Sequence, residues 1–453
     1  MKYVIIGGDA AGMSAAMQII KYDQDAEVVT LEKGAIYSYG QCGLPYTISG
    51  LVPSTDDLIA RRIETFRNKF GIDARTYHEV QTIDPKTKTV VGQDTQSGKR
   101  FHLSYDKLLI ASGASPIIPD WKGIGLSGVH TLKTIPDANQ IIRNLSEEIQ
   151  NVTVIGGGDI GLEMAESFRT LGKSVRLIHR GTYVGKMFDP DMAQYIHEEA
   201  KKHQIELIVN ENVIAIEGLR SVESIRTDQK VYKTDLVLIS TGIKPNTSFI
   251  QGTGITTGMK GAIQTNRYME TNVKDIYAAG DCTLQYHMVK EQDDYVPLGT
   301  TANKQGRIAG LNMARQPRRF KGITGSSILK FMDLTLGKTG LSEWEAMKLN
   351  IPYEVVKIEA KDIANYYPGS RPIHIKLTYR SDNYQLLGGQ IIGEKGVDKR
   401  VDVLATALFN RMTILELEDL DLSYAPPYNG SWDPIQRAAR QAMRGLSEKV
   451  KHD

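Results

Sequence analysis

The sequence predicts an α/β chain: two parallel-sheet units built on one design, followed by an α+β unit of different texture. Three observations predict it. Short β-branched runs alternate with helical stretches through the first and middle parts, the pattern of βαβ units. A strand, glycine turn, helix and second strand occur near the N-terminus and recur from Val152. Past about Gly325 no glycine-rich fingerprint returns, and strands alternate with capped helices.

The chain has 453 residues and a net charge of +2. That length exceeds one ordinary core and predicts two or three domains. A charge so near zero argues for no nucleic-acid or anionic-membrane partner. The opening Met1–Gly7 run is too short for a signal-peptide core, and no apolar stretch is long enough to span a bilayer. Two distant cysteines, Cys42 and Cys282, suit a cytoplasmic protein rather than a disulfide-stapled one. Any cysteine chemistry then belongs to a single thiol.

In chain order, the first unit opens with the strand Tyr3–Ile6, the turn Gly7-Gly8-Asp9-Ala10-Ala11-Gly12 and a helix through Met13–Ile20. Its second strand ends at Glu32. The second copy runs Val152–Ile155, Gly156-Gly157-Gly158-Asp159-Ile160-Gly161, a helix through Leu162–Leu171, and a strand Val175–His179. Gly156, Gly158 and Gly161 complete a G-x-G-x-x-G pattern; in the first copy Gly7 and Gly12 fit, but Asp9 replaces the middle glycine. Such turns let the backbone approach a pyrophosphate, whose charge meets the N–H groups of the following helix. Two copies in register, each between strand and helix, predict two Rossmann-like dinucleotide sites. In the third unit, Ser342-Glu343-Trp344-Glu345 reads as a capping box, Ile373–Tyr379 as a strand, and Asp433-Pro434 as a helix start.

The strand ends report on the ribose. Glu32 can accept hydrogen bonds from a ribose diol, as FAD or NAD offers. The second copy ends Ile178-His179-Arg180 with no acid. A carboxylate there would repel a 2′-phosphate, whereas His179 and Arg180 would attract one. NADPH, or both nicotinamides, is therefore expected over strict NADH; the plainer alternative makes His179 a spacer and Arg180 a surface charge.

Further stretches give the chain a family resemblance. Ile276-Tyr277-Ala278-Ala279-Gly280-Asp281 resembles the second FAD motif of the pyridine nucleotide–disulfide reductases. The resemblance implies that Asp281 binds the flavin's ribityl chain. Leu109–Gly113, with Ser112 and Gly113, and Leu238–Gly242 are similar to the crossovers where such chains pass between FAD and NAD domains. The implied fold is glutathione-reductase-like. An FAD domain spans 1–117 and 250–324, an NAD(P) domain 118–249, and an α+β dimerisation domain 325–453.

The segment Gly40-Gln41-Cys42-Gly43-Leu44-Pro45-Tyr46-Thr47 resembles the single-cysteine branch, because Thr47 stands where glutathione- and lipoamide-type reductases carry a second cysteine. That branch holds coenzyme A–disulfide reductases, NADH oxidases and NADH peroxidases. Cys42 lies at a turn into an expected helix, whose N–H groups would lower the thiol pKa. Cys282 reads as structural. Oxidases and peroxidases place a histidine where this chain has Ala10, which argues against a peroxide cycle. Segments Asn365–Gly369 and Ser423–Tyr428 resemble those that carry two tyrosines over the partner subunit's cysteine. This assigns Tyr366 and Tyr424 as acids for the leaving thiolate, with Tyr367 and Tyr428 as second choices.

The resemblance therefore implies a homodimeric FAD-dependent NAD(P)H:coenzyme A-disulfide reductase acting through a Cys42–coenzyme A mixed disulfide. Coenzyme A is long and polyanionic. Gln18, Lys21, Arg61 and Arg62 are candidates for its nucleotide end, and Ser38 and Gln41 for the pantetheine arm. An NAD(P)H oxidase or a coenzyme A-dependent persulfide or polysulfide reductase would use the same scaffold. A flavin reductase for a small electron-transfer protein would survive Cys42→Ser with activity intact, and a non-enzymatic NAD(P)H-responsive protein would show a persistent reduced state and no substrate-dependent turnover.

Overall fold

The computed structural model describes residues 1–449, so positions 450–453 of the expected third domain lie outside the described residues. The first sheet is parallel throughout, in the order Ile276–Ala278, Lys107–Ile110, Lys2–Ile6, Glu27–Leu31, Asp73–Arg75. Its central strand is covered on both faces, and Val4 and Ile5 have no exposed surface. That double burial explains a continuous apolar run instead of alternation. The helix Ala10–Tyr22 returns across the sheet and packs against Gly299–Met313. The crossing is close because Gly306 and Gly310 lack side chains: a Cβ there would lie 2.1 and 2.4 Å from the carbonyl oxygens of Ala11 and Ala15.

The second sheet repeats the design with Glu206–Val209, Ser174–His179, Asn151–Ile155, Leu236–Ile239 and Val129–His130, all parallel. Helix Asp159–Thr170 follows its glycine turn. The third sheet is antiparallel, in the order Ser327–Phe331, Leu334–Gly340, Leu386–Gly393, Pro372–Arg380, Tyr353–Lys361. Helices Val397–Phe409 and Pro434–Lys449 cover one face of it. The capping box forms as read: Glu345 N donates to Ser342 Oγ at 3.2 Å and Ser342 N to Glu345 Oε2 at 3.0 Å.

Two joints fix the sheets relative to one another. Ala114–Pro116 and Ile243–Pro245 pair as an antiparallel ribbon between the two parallel units. The third sheet docks on the second through buried charge. Lys376, 3% exposed, bridges to Asp189, Asp191 and Glu343, while Asp189 also accepts the N–H groups of Glu343 and Trp344. Among the described residues no helix is long and apolar enough to cross a membrane.

Candidate active site

Both glycine turns have the shape a pyrophosphate needs. Gly7 and Gly156 have φ of +115° and +117°, and a Cβ on either would strike the carbonyl of Ala111 or Ser240. At Gly12 and Gly161 a Cβ would lie 1.9 Å from the carbonyl oxygens of Gly7 and Gly156. Gly158 is different. Its φ is −88° and nothing lies within 4 Å of a Cβ there. Neither conformation nor packing demands glycine, so the open space fits the approach of a dinucleotide.

The strand ends match as well. Glu32 accepts Gly8 N at 2.9 Å and Gly34 N at 2.8 Å, leaving lone pairs for a ribose. In the second copy His179 Nδ1 takes the same place, accepting Gly157 N at 3.2 Å, and its Nε2 is buried without a partner. His179 is thus the counterpart of Glu32. The expected positive charge is corrected, however: burial, with Lys186 and Arg180 nearby, lowers its pKa and disfavours the charged ring. Arg180 and Lys186, both exposed, are the cations that stand beside it. Lys186 was missed because its loop path is not written in the strand pattern.

Ser112, Gly113 and Gly242 lead directly into the two strands of the ribbon between units. Ser112 Oγ donates to Asn246 O at 2.6 Å, Asn246 N to Gly113 O at 3.0 Å, and Ile117 N to Gly242 O at 2.9 Å. Asp281 follows the strand Ile276–Ala278 and pairs with Lys133 of the second unit at 3.1 Å. Lys133 is a site residue that the sequence did not reveal.

Cys42 lies in a single helical turn, Gln41–Gly43, that runs into the helix Leu44–Ile48. Leu44 and Ile48 are buried among Leu132, Ile135, Val154 and Phe168 of the second unit. Ser167 Oγ donates to Pro45 O at 2.9 Å. These contacts hold an exposed thiol where the two dinucleotide units meet. Thr47 bonds the carbonyl of Gly43, and Cys282 is fully buried, its thiol pushed up to about 11 by that burial. The expectation of a lowered Cys42 pKa is corrected too. Crowding by protein raises it, the Glu163 carboxylate adds to the rise, and Lys133 opposes it. One short turn presents too little dipole to offset those terms. Glu163 itself is pushed up to about 7 by burial and by Asp159 and Glu166.

Of the nucleotide-end candidates, Gln18 and Lys21 lie on the helix Ala10–Tyr22. Arg61 reaches that helix, with Nη1 3.6 Å from Met17 Sδ and its guanidinium over the Phe66 and Phe70 rings. Arg62 pairs with Asp56 at 3.9 Å. Ser14 Oγ bonds Asn303 Oδ1 at 2.9 Å, which ties that helix to Gly299–Met313. Ser38 holds a left-handed φ of +49°, and Gln41 Nε2 donates to Asp9 Oδ2 at 2.8 Å.

Tyr366 and Tyr424 meet, their hydroxyls 3.1 Å apart, and both are exposed. Arg400, 1% exposed, ties their two segments together. Its Nη2 donates to Asp362 O at 2.8 Å and Asn429 Oδ1 at 3.1 Å, and its Nε pairs with Asp433 at 3.1 Å. Tyr367 and Tyr428 are exposed nearby in sequence.

Residues 1–306 match the family "pyridine nucleotide-disulphide oxidoreductase", and residues 326–434 match that family's dimerisation domain. Three curated relatives are similar over nearly their whole length. An NADH oxidase of Methanocaldococcus jannaschii is 34% identical, covering 99% of this chain and 100% of the relative. An NAD(P)H coenzyme A polysulfide/persulfide reductase of Pyrococcus horikoshii is 38% identical, covering 97% and 98%. A coenzyme A disulfide reductase of Staphylococcus aureus is 33% identical, covering 97% and 99%. The solved structure of reduced Bacillus anthracis CoADR-RHD superposes with a TM-score of 0.95 at 36% identity, covering 98% of this chain and 80% of that one.

Proposed function

The chain belongs to the pyridine nucleotide-disulphide oxidoreductases, and we propose that within them it is an NAD(P)H:coenzyme A-disulfide reductase. FAD and NAD(P)H are its cofactors. We assign FAD to 1–117 with 250–324, the nicotinamide to 118–249, and dimerisation to 325–453. Gly7, Gly12, Glu32 and Asp281 would hold FAD; Gly156, Gly158, Gly161 and His179 the nicotinamide nucleotide. One observation carries the reading: a single exposed thiol, Cys42, at the meeting of two dinucleotide folds, with the other cysteine sealed away.

With one protein thiol, the substrate must act as its resolving partner. The Cys42 thiolate attacks one sulfur of coenzyme A disulfide. The S–S bond breaks, a Cys42–coenzyme A disulfide forms, and the first thiolate leaves with a proton from a tyrosine. FAD, when bound, supplies two electrons from NAD(P)H to this mixed disulfide. The second coenzyme A then leaves and Cys42 returns as thiolate. Balanced overall, one disulfide, one NAD(P)H and one proton give two thiols and NAD(P)⁺. Lys133, opposing Glu163, favours the anionic sulfur at each turn. Tyr366 and Tyr424, exposed on their own chain, would serve the partner subunit's cysteine, so the homodimer completes the site. Gln18, Lys21, Arg61 and Arg62 would bind the nucleotide end and Ser38 and Gln41 the pantetheine arm.

A second reading has a specific support. The Pyrococcus relative is named for polysulfide and persulfide, and a persulfide would offer Cys42 the same S–S bond. Sulfide release during turnover would identify that activity, and oxygen consumption an oxidase. Mass spectrometry of the native holoenzyme before and after dithiothreitol tests the main reading. A coenzyme A mass lost from the Cys42 peptide supports it. Cys42 bare or carrying only oxygen overturns the mixed-disulfide cycle.

A further inference from the structure

Asp9 breaks the first glycine fingerprint, and its side chain does something a middle glycine could not. It occupies the N-cap position of the helix Ala10–Tyr22 yet makes no capping bond. Instead it turns to the loop before the redox cysteine. Oδ1 accepts Tyr39 N at 3.2 Å and Oδ2 accepts Gln41 Nε2 at 2.8 Å. One bond from the same turn joins them: Ser38 N donates to Gly8 O at 3.0 Å. The other side of the loop is pinned by Gly40 N to Leu58 O at 2.8 Å and Ala60 N to Ser38 O at 2.8 Å. The loop carrying Ser38, with its left-handed backbone, and Gln41 is thus clamped between the glycine turn and the 58–60 segment.

We propose that Asp9 is a positioning residue for the disulfide substrate, fixing the Gln41 amide so that Oε1 faces the substrate as an acceptor. This rests on the coenzyme A reading above. An ionised carboxylate only accepts, so the amide must turn Nε2 toward it and Oε1 away. The partner presented is then a donor, and the two amide N–H groups of a pantetheine arm are of that class. A protonated Oδ2 can donate instead, which allows the amide to reverse. The orientation is therefore tied to the charge on Asp9.

That charge is marginal. Burial, with the Glu32 carboxylate nearby, pushes Asp9 up to about 6, against the bonds from Gln41 and Tyr39. The titratable groups that face it are Glu32 at the strand end and the Tyr39 phenol, which in turn lies near Asp137. Among the described residues it has no cationic partner. Substrate binding acquires a pH dependence that belongs to Asp9 and is expressed through Gln41.

The test is calorimetric titration of coenzyme A disulfide into the FAD-loaded Cys42→Ser protein, where no exchange can follow. Its Kd is expected to be about tenfold weaker at about pH 5 than at about pH 7.5. Asp9→Asn, which presents a donor to Gln41 at every pH, holds the weak value throughout. Gln41→Ala also flattens the profile, and adding Asp9→Asn to it changes nothing more. An Asp9→Asn profile parallel to that of the parent, or effects of the two substitutions that multiply, would overturn the assignment. Failure of the Cys42→Ser protein to bind at either pH, with wild type inert toward coenzyme A disulfide, would overturn both this and the substrate reading.

Discussion

The hydroxyls of Tyr366 and Tyr424 lie 3.1 Å apart although 58 residues separate them. The shared hydrogen bond holds the Tyr366 phenol above its ordinary pKa, so it keeps its proton at neutral pH. A pair of phenols can pass one proton outward while the other refills the donor. Tyr366→Phe and Tyr424→Phe should each lower kcat on coenzyme A disulfide by about 10- to 100-fold. The double variant should be little worse than either, since the pair acts as one unit. Steady-state kinetics check this.

Arg400 decides whether that pair exists. It is buried, and it bonds Asp362 just before one tyrosine segment and Asn429 and Asp433 just after the other. Arg400→Leu leaves Asp433 as an uncompensated buried charge, and should cost about 3–5 kcal/mol in denaturant unfolding. Arg400→Lys supplies the charge but not the fork. It should recover part of the stability and little of the kcat.

Glu163 sets how easily Cys42 ionises. Its carboxylate titrates at about 7 and raises the thiol pKa when charged. Below that pH the group is neutral and exerts little pull; above it the anion suppresses the thiolate. Glu163→Gln should therefore speed alkylation of Cys42 by iodoacetamide several-fold at about pH 8 and leave it unchanged at about pH 5.5. Peptide mass spectrometry reads both rates. Equal rates for the two proteins at the higher pH would refute the coupling.

Nicotinamide choice should follow Arg180 and Lys186 rather than His179 charge. Arg180→Ala and Lys186→Ala are each expected to raise KM for NADPH about tenfold, with KM for NADH little changed. High salt should weaken NADPH more than NADH. His179→Glu restores the acid that Glu32 supplies in the first copy, and should turn preference toward NADH.

What was legible in the sequence was local. The two fingerprints could be read because a strand, turn and helix encode their own contacts within about thirty residues. Cys42 could be singled out through resemblance because the segment that carries it, Gly40 to Thr47, is continuous in the chain. The capping box at Ser342 and the helix start at Pro434 are local for the same reason. The tyrosines were found through resemblance, and the hydrogen bond between them emerged only in three dimensions.

Tertiary structure decided the charges and the distant partners. Lys133, Glu163 and Arg400 come to their places by packing between elements far apart in the chain, which no periodicity records. The pKa values of Cys42 and His179 were misjudged on sequence grounds because composition cannot show how deeply a group is buried. A pKa depends on the solvation lost and on the charges brought near, and both exist only once the chain has folded. The residues and the resemblance they carry pointed to one candidate redox thiol and two dinucleotide folds. The folded chain determined which charges surround that thiol, which cations stand beside His179, and that Asp9, at the one broken position of the fingerprint, binds the residue beside the cysteine.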